Sequence, residues 1–259
     1  MTKLNNLNLE KTAKELLDTF FEAGKIAKEI SSQGVKITIK PDNTPVTDGD
    51  IAVDKLLRNK IEKLTPDIPI ISEETVDLNI KNKNKTFWLI DPIDGTKDYI
   101  NNKDEYTLNS ALIIDSKPVI GIVHAPAKNR LFFSYNFGSA YEIHDGKEKI
   151  LNCKKINTEE IIGLAYYGNT SKKILDIYKD HKVSKIIRMS SSLKFCILAA
   201  GEADIYAAEP RAFEWDIAAG HAILMHAGGS ITTMDGKKIF YGKENYRNPS
   251  LVAKRKKDL

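Results

Sequence analysis

Residues Phe87-Trp88-Leu89-Ile90 form an apolar run of strand length, and the run ends abruptly in Asp91-Pro92-Ile93-Asp94-Gly95-Thr96. A strand therefore runs straight into two carboxylates. Pro92 fixes its own φ and denies the backbone a helical start. Gly95 permits a positive φ or a close approach, and Thr96 adds a hydroxyl. Asp91 and Asp94 stand three apart in a turn at a strand end, where both side chains can converge on one point.

The pattern occurs twice more. Ile70-Ile71-Ser72-Glu73-Glu74 is another apolar segment ending in acids, and Phe213-Glu214-Trp215-Asp216 leads into a helix predicted over Ile217–Ala227. That placement puts Asp216 at or near a helix N-cap. Gathering such charges unpaired costs several kcal/mol, so a hard divalent cation among them is the cheapest explanation. Oxygen donors without neighbouring His or Cys favour Mg²⁺, Mn²⁺ or Ca²⁺ over Zn²⁺. Taken singly, each acid has an ordinary role: Asp-Pro and Asp-Gly make turns, Asp caps helices, and Glu73-Glu74 reads as a solvated pair. The recurrence at the ends of apolar segments carries the argument.

A chain of 259 residues, 42% hydrophobic and 29% charged, can bury a large core. Apolar spacing predicts a helix from Leu9 to about Ile30 and a second one capped by Thr47 or Asp48. Between them, Lys36 to Thr44 reads as a polar, mobile loop containing Pro41-Asp42-Asn43. Short strands follow up to about residue 150, and strands alternating with helices after it. The expected division is an α+β half over 1–150 carrying the metal-binding motifs, and an α/β half over 151–259 carrying Asp216 and the substrate-binding elements. The site is expected in the cleft between them.

Composition narrows the classes. The balance of 39 Lys+Arg against 35 Asp+Glu gives +4, too mild for nucleic-acid binding. The basic run Lys254-Arg255-Lys256-Lys257 has no interleaved aromatics for stacking and reads as solvated. Cys153 and Cys196 read as buried thiols in a reducing compartment. His221 and His226 read as core or surface residues rather than ligands. The N-terminus shows no signal-peptide core, and no stretch reaches the roughly 20 apolar residues that span a bilayer. The expectation is a cytoplasmic protein, with peripheral membrane association left open.

Ser72-Glu73-Glu74, Asp91 to Thr96, Glu214-Trp215-Asp216-Ile217-Ala218-Ala219-Gly220 and Ala227-Gly228-Gly229 together resemble the inositol monophosphatase superfamily, from the Lys40 loop to the strand after Gly229. Within it, Thr44-Pro45-Val46-Thr47-x-x-Asp50, Gly121-Ile122-Val123-His124-Ala125-Pro126 and Ser191-Ser192-Leu193-Lys194-Phe195-Cys196 resemble the CysQ-type 3'(2'),5'-bisphosphate nucleotidases. The resemblance implies an α+β fold, a layered αβαβα sandwich, and a Mg²⁺-dependent phosphomonoesterase acting on a small phosphorylated substrate. It implies two or three Mg²⁺ ions. Glu73, Asp91 and the Ile93 carbonyl would hold one; Asp91, Asp94 and Asp216 a second; Glu73 would also face a looser third. The Gly95 and Thr96 amides would receive the scissile phosphate, in contact with the same acids. Asp50 and Thr96 would position and deprotonate the attacking water, and Ser191 and Lys194 would hold the phosphate that stays. The Lys40 segment resembles the family's lid. Lithium inhibition belongs to the same set of expectations, and a homodimer is left open.

Two departures bear on the substrate. The arginine that relatives carry at Ala208 is missing, with Arg211 three residues later, and Gly168-Asn169-Thr170-Ser171-Lys172-Lys173 stands where relatives often have Ser-Arg-Ser-His. The implied reaction is removal of the 3'-phosphate from adenosine 3',5'-bisphosphate. Inositol or sugar monophosphate hydrolysis is the alternative, and a non-enzymatic RNA- or protein-binding role the third reading.

Overall fold

The computed structural model describes residues 7–40, 43–78, 80, 84–153 and 160–256. Helix α1 (Leu9–Gln33) starts at Asn8, whose side chain accepts from Lys11 N, and stops at Gly34, where φ is 91°. The segment predicted as a loop instead contains a two-stranded antiparallel hairpin, β1 (Ile37–Ile39) and β2 (Pro45–Thr47). Its β-branched residues (Ile37, Thr38, Ile39, Val46 and Thr47) favour extended backbone. Pro41 and Asp42, part of the predicted loop, lie outside the described residues. Thr47 then caps α2 (Asp48–Leu64): its side chain accepts from Asp50 N while the Asp50 carboxylate accepts from Thr47 N.

A seven-stranded sheet follows in chain order: β3 (Ile70–Ser72), β4 (Phe87–Asp94), β5 (Thr107–Ile114), β6 (Lys117–Ala125), β7 (Arg130–Asn136), β8 (Ser139–His144) and β9 (Lys147–Ile150). It is antiparallel except that β3 runs parallel to β4. The short helix α3 (Thr96–Ile100) sits between β4 and β5. The rest of the chain alternates: β10 (Ile162–Ala165), α4 (Lys172–Asp180), β11 (Lys185–Arg188), α5 (Leu193–Ala200), β12 (Ile205–Ala208), α6 (Glu214–His226), β13 (Ser230–Thr233) and β14 (Leu251–Lys254). These strands form a second sheet in the order β11-β10-β12-β14-β13.

The layers are α1 and α2, the large sheet, α5 and α6, the small sheet, and α4, an αβαβα sandwich. Three apolar clusters fill the spaces. Leu16, Phe20, Leu57, Trp88 and Ile90 pack between the first helices and the large sheet. Phe87, Leu89, Phe132, Phe195 and Leu224 pack around α5 and α6. Ile174, Tyr178 and Ile205 seat α4. Strand β4 thus buries both faces, Trp88 and Ile90 on one and Phe87 and Leu89 on the other, which is why its run is continuously apolar. Gly121 on β6 lets α6 come into contact: a Cβ there would collide with the Ala219 carbonyl.

Two expectations about local structure are corrected. Helix α6 begins at Glu214 rather than Ile217, so Asp216 is its third residue and not its cap. The fully buried Glu214 carboxylate accepts from the Gly242 and Lys243 amides, which fixes the first turn early. The basic run is not a solvated tail: Lys254 ends β14, and Arg255 is buried in an ion pair with Asp204. Lys257 lies outside the described residues. Cys153 and Cys196 are buried, the Cys153 thiol donating to the Ala227 and Arg255 carbonyls. His221 and His226 are buried too, His221 against the Tyr241 hydroxyl. Among the described residues, no helix is long and apolar enough to cross a membrane.

Candidate active site

Carboxylate oxygens of Glu73, Asp91 and Asp216 all lie within 4.8 Å of one another. Glu73 extends the β3–β4 pairing, its amide donating to the Ile90 carbonyl at 3.1 Å. Asp91 continues the parity of Phe87 and Leu89, the face of β4 that α6 covers, and α6 delivers Asp216 from its first turn. The Asp216 carboxylate also accepts from Phe213 N at 2.8 Å, which fixes its direction.

A β-bulge controls the second acid of the turn. Asp91 pairs with Asn109 and Asp94 with Thr107, residues of like parity on β5, so two residues of β4 oppose one of β5 between them. In a regular strand Asp94 would point to the opposite face; the bulge returns it to the face of Asp91. Asp94 remains outside the three-acid set, because its carboxylate accepts from Ser192 N at the start of α5. The Ile93 carbonyl accepts from Thr96 Oγ1 at 3.1 Å. Gly95 follows with φ 90° and ψ 35°, a backbone that costs a side-chain-bearing residue strain, and caps α3.

The electrostatics of the acids are unfavourable without a counter-ion. Burial, reinforced by the surrounding carboxylates, pushes Asp91 and Asp216 well above the usual range. Burial raises Glu73 to about 7 against the pull of Lys40. Asp94 is raised by burial, opposed by Lys194 and by Ser192 N. Asp91 is 1% exposed, and its Oδ1 has no hydrogen-bond partner. A converging all-oxygen set with an unsatisfied buried oxygen fits a hard divalent cation.

Asp50 is only 2% exposed, and burial raises its carboxyl to about 6. Its Oδ2 accepts from Thr47 N at 2.7 Å and Thr47 Oγ1 at 2.5 Å. The family resemblance pairs Asp50 with Thr96; among the described residues no hydrogen bond joins them. The capping box satisfies Asp50, and Ile93 takes the Thr96 hydroxyl.

Beside the acids opens a cavity of about 310 Å³. Glu73, Asp94, Gly95, Thr96 and Asp216 line it, together with Ser191, Lys194, Tyr166, Tyr206, Ala208 and Arg211. Lys194 is 5% exposed and donates to the Ser191 carbonyl, with Nζ 5.3 Å from the Tyr206 ring centre and 5.8 Å from that of Tyr166. Burial lowers its ammonium to about 8, with Asp94 opposing the shift and Arg211 adding to it. The Arg211 guanidinium lies 3.9 Å over the Tyr166 ring. The displaced arginine therefore still reaches the cavity that Ala208 lines.

Ser190-Ser191-Ser192 has two local readings, a helix cap or an anion contact. Ser192 makes no side-chain cap on α5. Instead Ser190 binds Asp98 and Glu105, and Ser192 Oγ donates to Asn109 Oδ1 at 2.6 Å, so the segment ties α5 to the large sheet. Ser191 itself has φ 55°. Sequence reasoning missed Tyr166, Tyr206 and these anchoring acids. Tyr166 directly follows β10, a strand-end signal like the one that exposed the acids, whereas Tyr206 lies within β12.

A family model described as "Inositol monophosphatase family" matches residues 8–259. The 3'(2'),5'-bisphosphate nucleotidase CysQ of Buchnera aphidicola is 36% identical over 218 residues, covering 82% of this chain and 79% of that protein. The nucleotidase CysQ of Aggregatibacter actinomycetemcomitans is 31% identical over 243 residues, covering 92% and 90%. The crystal structure of CysQ from Bacteroides thetaiotaomicron, a bacterial member of the inositol monophosphatase family, superposes with a TM-score of 0.77 at 28% identity, covering 96% of this chain and 98% of that one. Motifs, layered architecture and matched length agree: the chain belongs to the inositol monophosphatase family.

Proposed function

We propose that the chain is a Mg²⁺-dependent 3'(2'),5'-bisphosphate nucleotidase that converts adenosine 3',5'-bisphosphate to AMP and phosphate. The observation that carries the reading is a single cavity lined both by acids of the converging set and by the cations Lys194 and Arg211. A bisphosphate has the matching requirements: one ester beside divalent cations, and a second dianion beside fixed positive charge. The printed names of the relatives support the same substrate class.

Glu73, Asp91, Asp94 and Asp216, with the Ile93 carbonyl, would hold two or three Mg²⁺ ions. Bound there, the ions would offset phosphate charge, acidify water and stabilise the leaving alkoxide. The chain's own groups do the rest. The Gly95 and Thr96 amides donate to the scissile phosphate, because N–H groups of a turn favour an anion. Asp50 takes the proton of the attacking water; with a carboxyl near 6 it is ionised at neutral pH yet basic enough to accept. Relaying through Thr96 requires that hydroxyl to leave the Ile93 carbonyl. Water oxygen bonds to phosphorus as the bond to the 3'-oxygen breaks, and the 3'-oxygen gains a proton. Ser191 and Lys194 orient the retained 5'-phosphate.

Inositol or sugar monophosphate hydrolysis is the second reading, favoured by Ala208 at the arginine position. The orphaned Asp91 oxygen argues against a binding role without catalysis, since such a role gives no reason to keep it. Comparing kcat/KM for adenosine 3',5'-bisphosphate and inositol 1-phosphate in Mg²⁺ decides between the esters. The bisphosphate is expected to be preferred, and a preference for the inositol ester would replace the reading.

A further inference from the structure

Lys40 follows β1 and turns its ammonium onto the acid end of the site. Nζ lies 2.9 and 2.8 Å from the two carboxylate oxygens of Glu74 and 3.6 Å from Oε1 of Glu73. The backbone holds the residue in the hairpin: Lys40 N donates to the Thr44 carbonyl at 2.8 Å, and Asn43 N donates to the Lys40 carbonyl at 2.9 Å. Lys40 and Glu74 line a second cavity, of about 1000 Å³, that lies across Glu73 from the substrate cavity. Glu73 borders both. This carboxylate meets Asp91 and Asp216 within 4.8 Å, and the lysine reaches its Oε1 at 3.6 Å.

Charge makes the contact informative. Glu73, Asp91 and Asp216 repel one another at this range, and any positive charge nearby relieves part of that repulsion. An ammonium supplies one charge and donates hydrogen bonds. It also repels a divalent ion bound to the same carboxylate, so the two cannot both sit at Glu73 without mutual cost.

We propose that Lys40 is a tethered competitor for the metal site: its single charge offsets part of the negative charge of Glu73 and Glu74 before a divalent ion arrives, and it then yields Glu73 and stays with Glu74. The proposal rests on the metal-site reading above and adds what holds Glu73 in the metal-free chain. Lys40 thereby sets a lower metal affinity than the acids alone would give, and it keeps the metal-free site from carrying its full negative charge.

Calorimetric titration of Mg²⁺ into the metal-free full chain tests this, with wild type, Lys40→Met, Lys40→Gln and Lys40→Arg compared. Lys40→Met and Lys40→Gln are expected to bind Mg²⁺ about tenfold more tightly, and Lys40→Arg close to wild type. Metal-free Lys40→Met is expected to melt below wild type, and the gap to close in saturating Mg²⁺. Two folded neutral variants with unchanged or weaker Mg²⁺ affinity would overturn the proposal. A wild-type chain that gives neither heat nor a shift in Tm with Mg²⁺ would overturn the metal-site reading, and the competitor with it.

Discussion

The two ends of the substrate cavity are built differently. The acid end hangs on the regular elements β3, β4 and α6, inside the largest apolar clusters. Asp91 continues a strand buried on both faces, and Asp216 stands on a helix held between the sheets. At the cationic end Lys194 stands buried in the first turn of α5, while Arg211 comes from the loop after β12, exposed and stacked on Tyr166. Rigid placement suits chemistry that tolerates little displacement, whereas adjustable contacts suit the choice of substrate. The acid end should therefore fix the reaction and the cationic end the molecule that undergoes it.

The sharpest way to break this contrast is Asp91→Asn, for which phosphate release should fall by about a thousandfold, as expected when several kcal/mol of metal-borne stabilisation is lost. Its metal-free Tm should hold or rise, because an unpaired buried charge is removed; a variant that keeps turnover would separate Asp91 from the reaction. Next in size is Asp50→Asn, with a loss of about a hundredfold or more. In the wild type, kcat/KM should rise with pH through about 6, since Asp50 must be ionised to accept a proton. The variant should lose that limb, and an unchanged profile would move the base elsewhere.

At the other end, Lys194→Met should raise KM for adenosine 3',5'-bisphosphate by about 30-fold, about 2 kcal/mol for a desolvated charge contact. Arg211→Ala should cost about fivefold, near 1 kcal/mol for an exposed stacked cation. Neither should change the rate on adenosine 3'-monophosphate, and an equal loss on both substrates would place the cations in the chemistry.

The smallest effect is thermal. The cluster's carboxyls are raised in the folded chain, so their contribution to stability is complete below their ordinary values and is lost as pH rises through the folded ones, about 7 for Glu73. The Tm of the metal-free chain should fall between about pH 4 and about pH 8. Added Mg²⁺ should raise it more at the upper end than at the lower, as followed by scanning calorimetry.

The sequence and the structure agree most closely where one residue decides its own environment. The apolar run before Asp91, the Thr47 cap and the strand patterns to Ile143 follow from local chemistry. Asp94 did not, because a bulge in register with β5 decides its face, and that pairing joins residues far apart in the chain. The start of α6 was hidden for the same reason: Glu214 is satisfied by amides of Gly242 and Lys243. Arg255 looked like part of a charged tail because its partner, Asp204, is fifty-one residues away. The Asp50–Thr96 pairing came from resemblance, and here each residue has a nearer partner.

Helices α5 and α6 both point their first turns at the cavity, and both lie between the two sheets. The amide that holds Asp94 and the third carboxylate of the acid cluster therefore arrive with the second half of the chain. The first half presents Glu73 and Asp91 without Asp216, and Asp94 without the Ser192 amide. A newly made chain would remain chemically silent until its second sheet docks, so hydrolysis begins only when folding is complete.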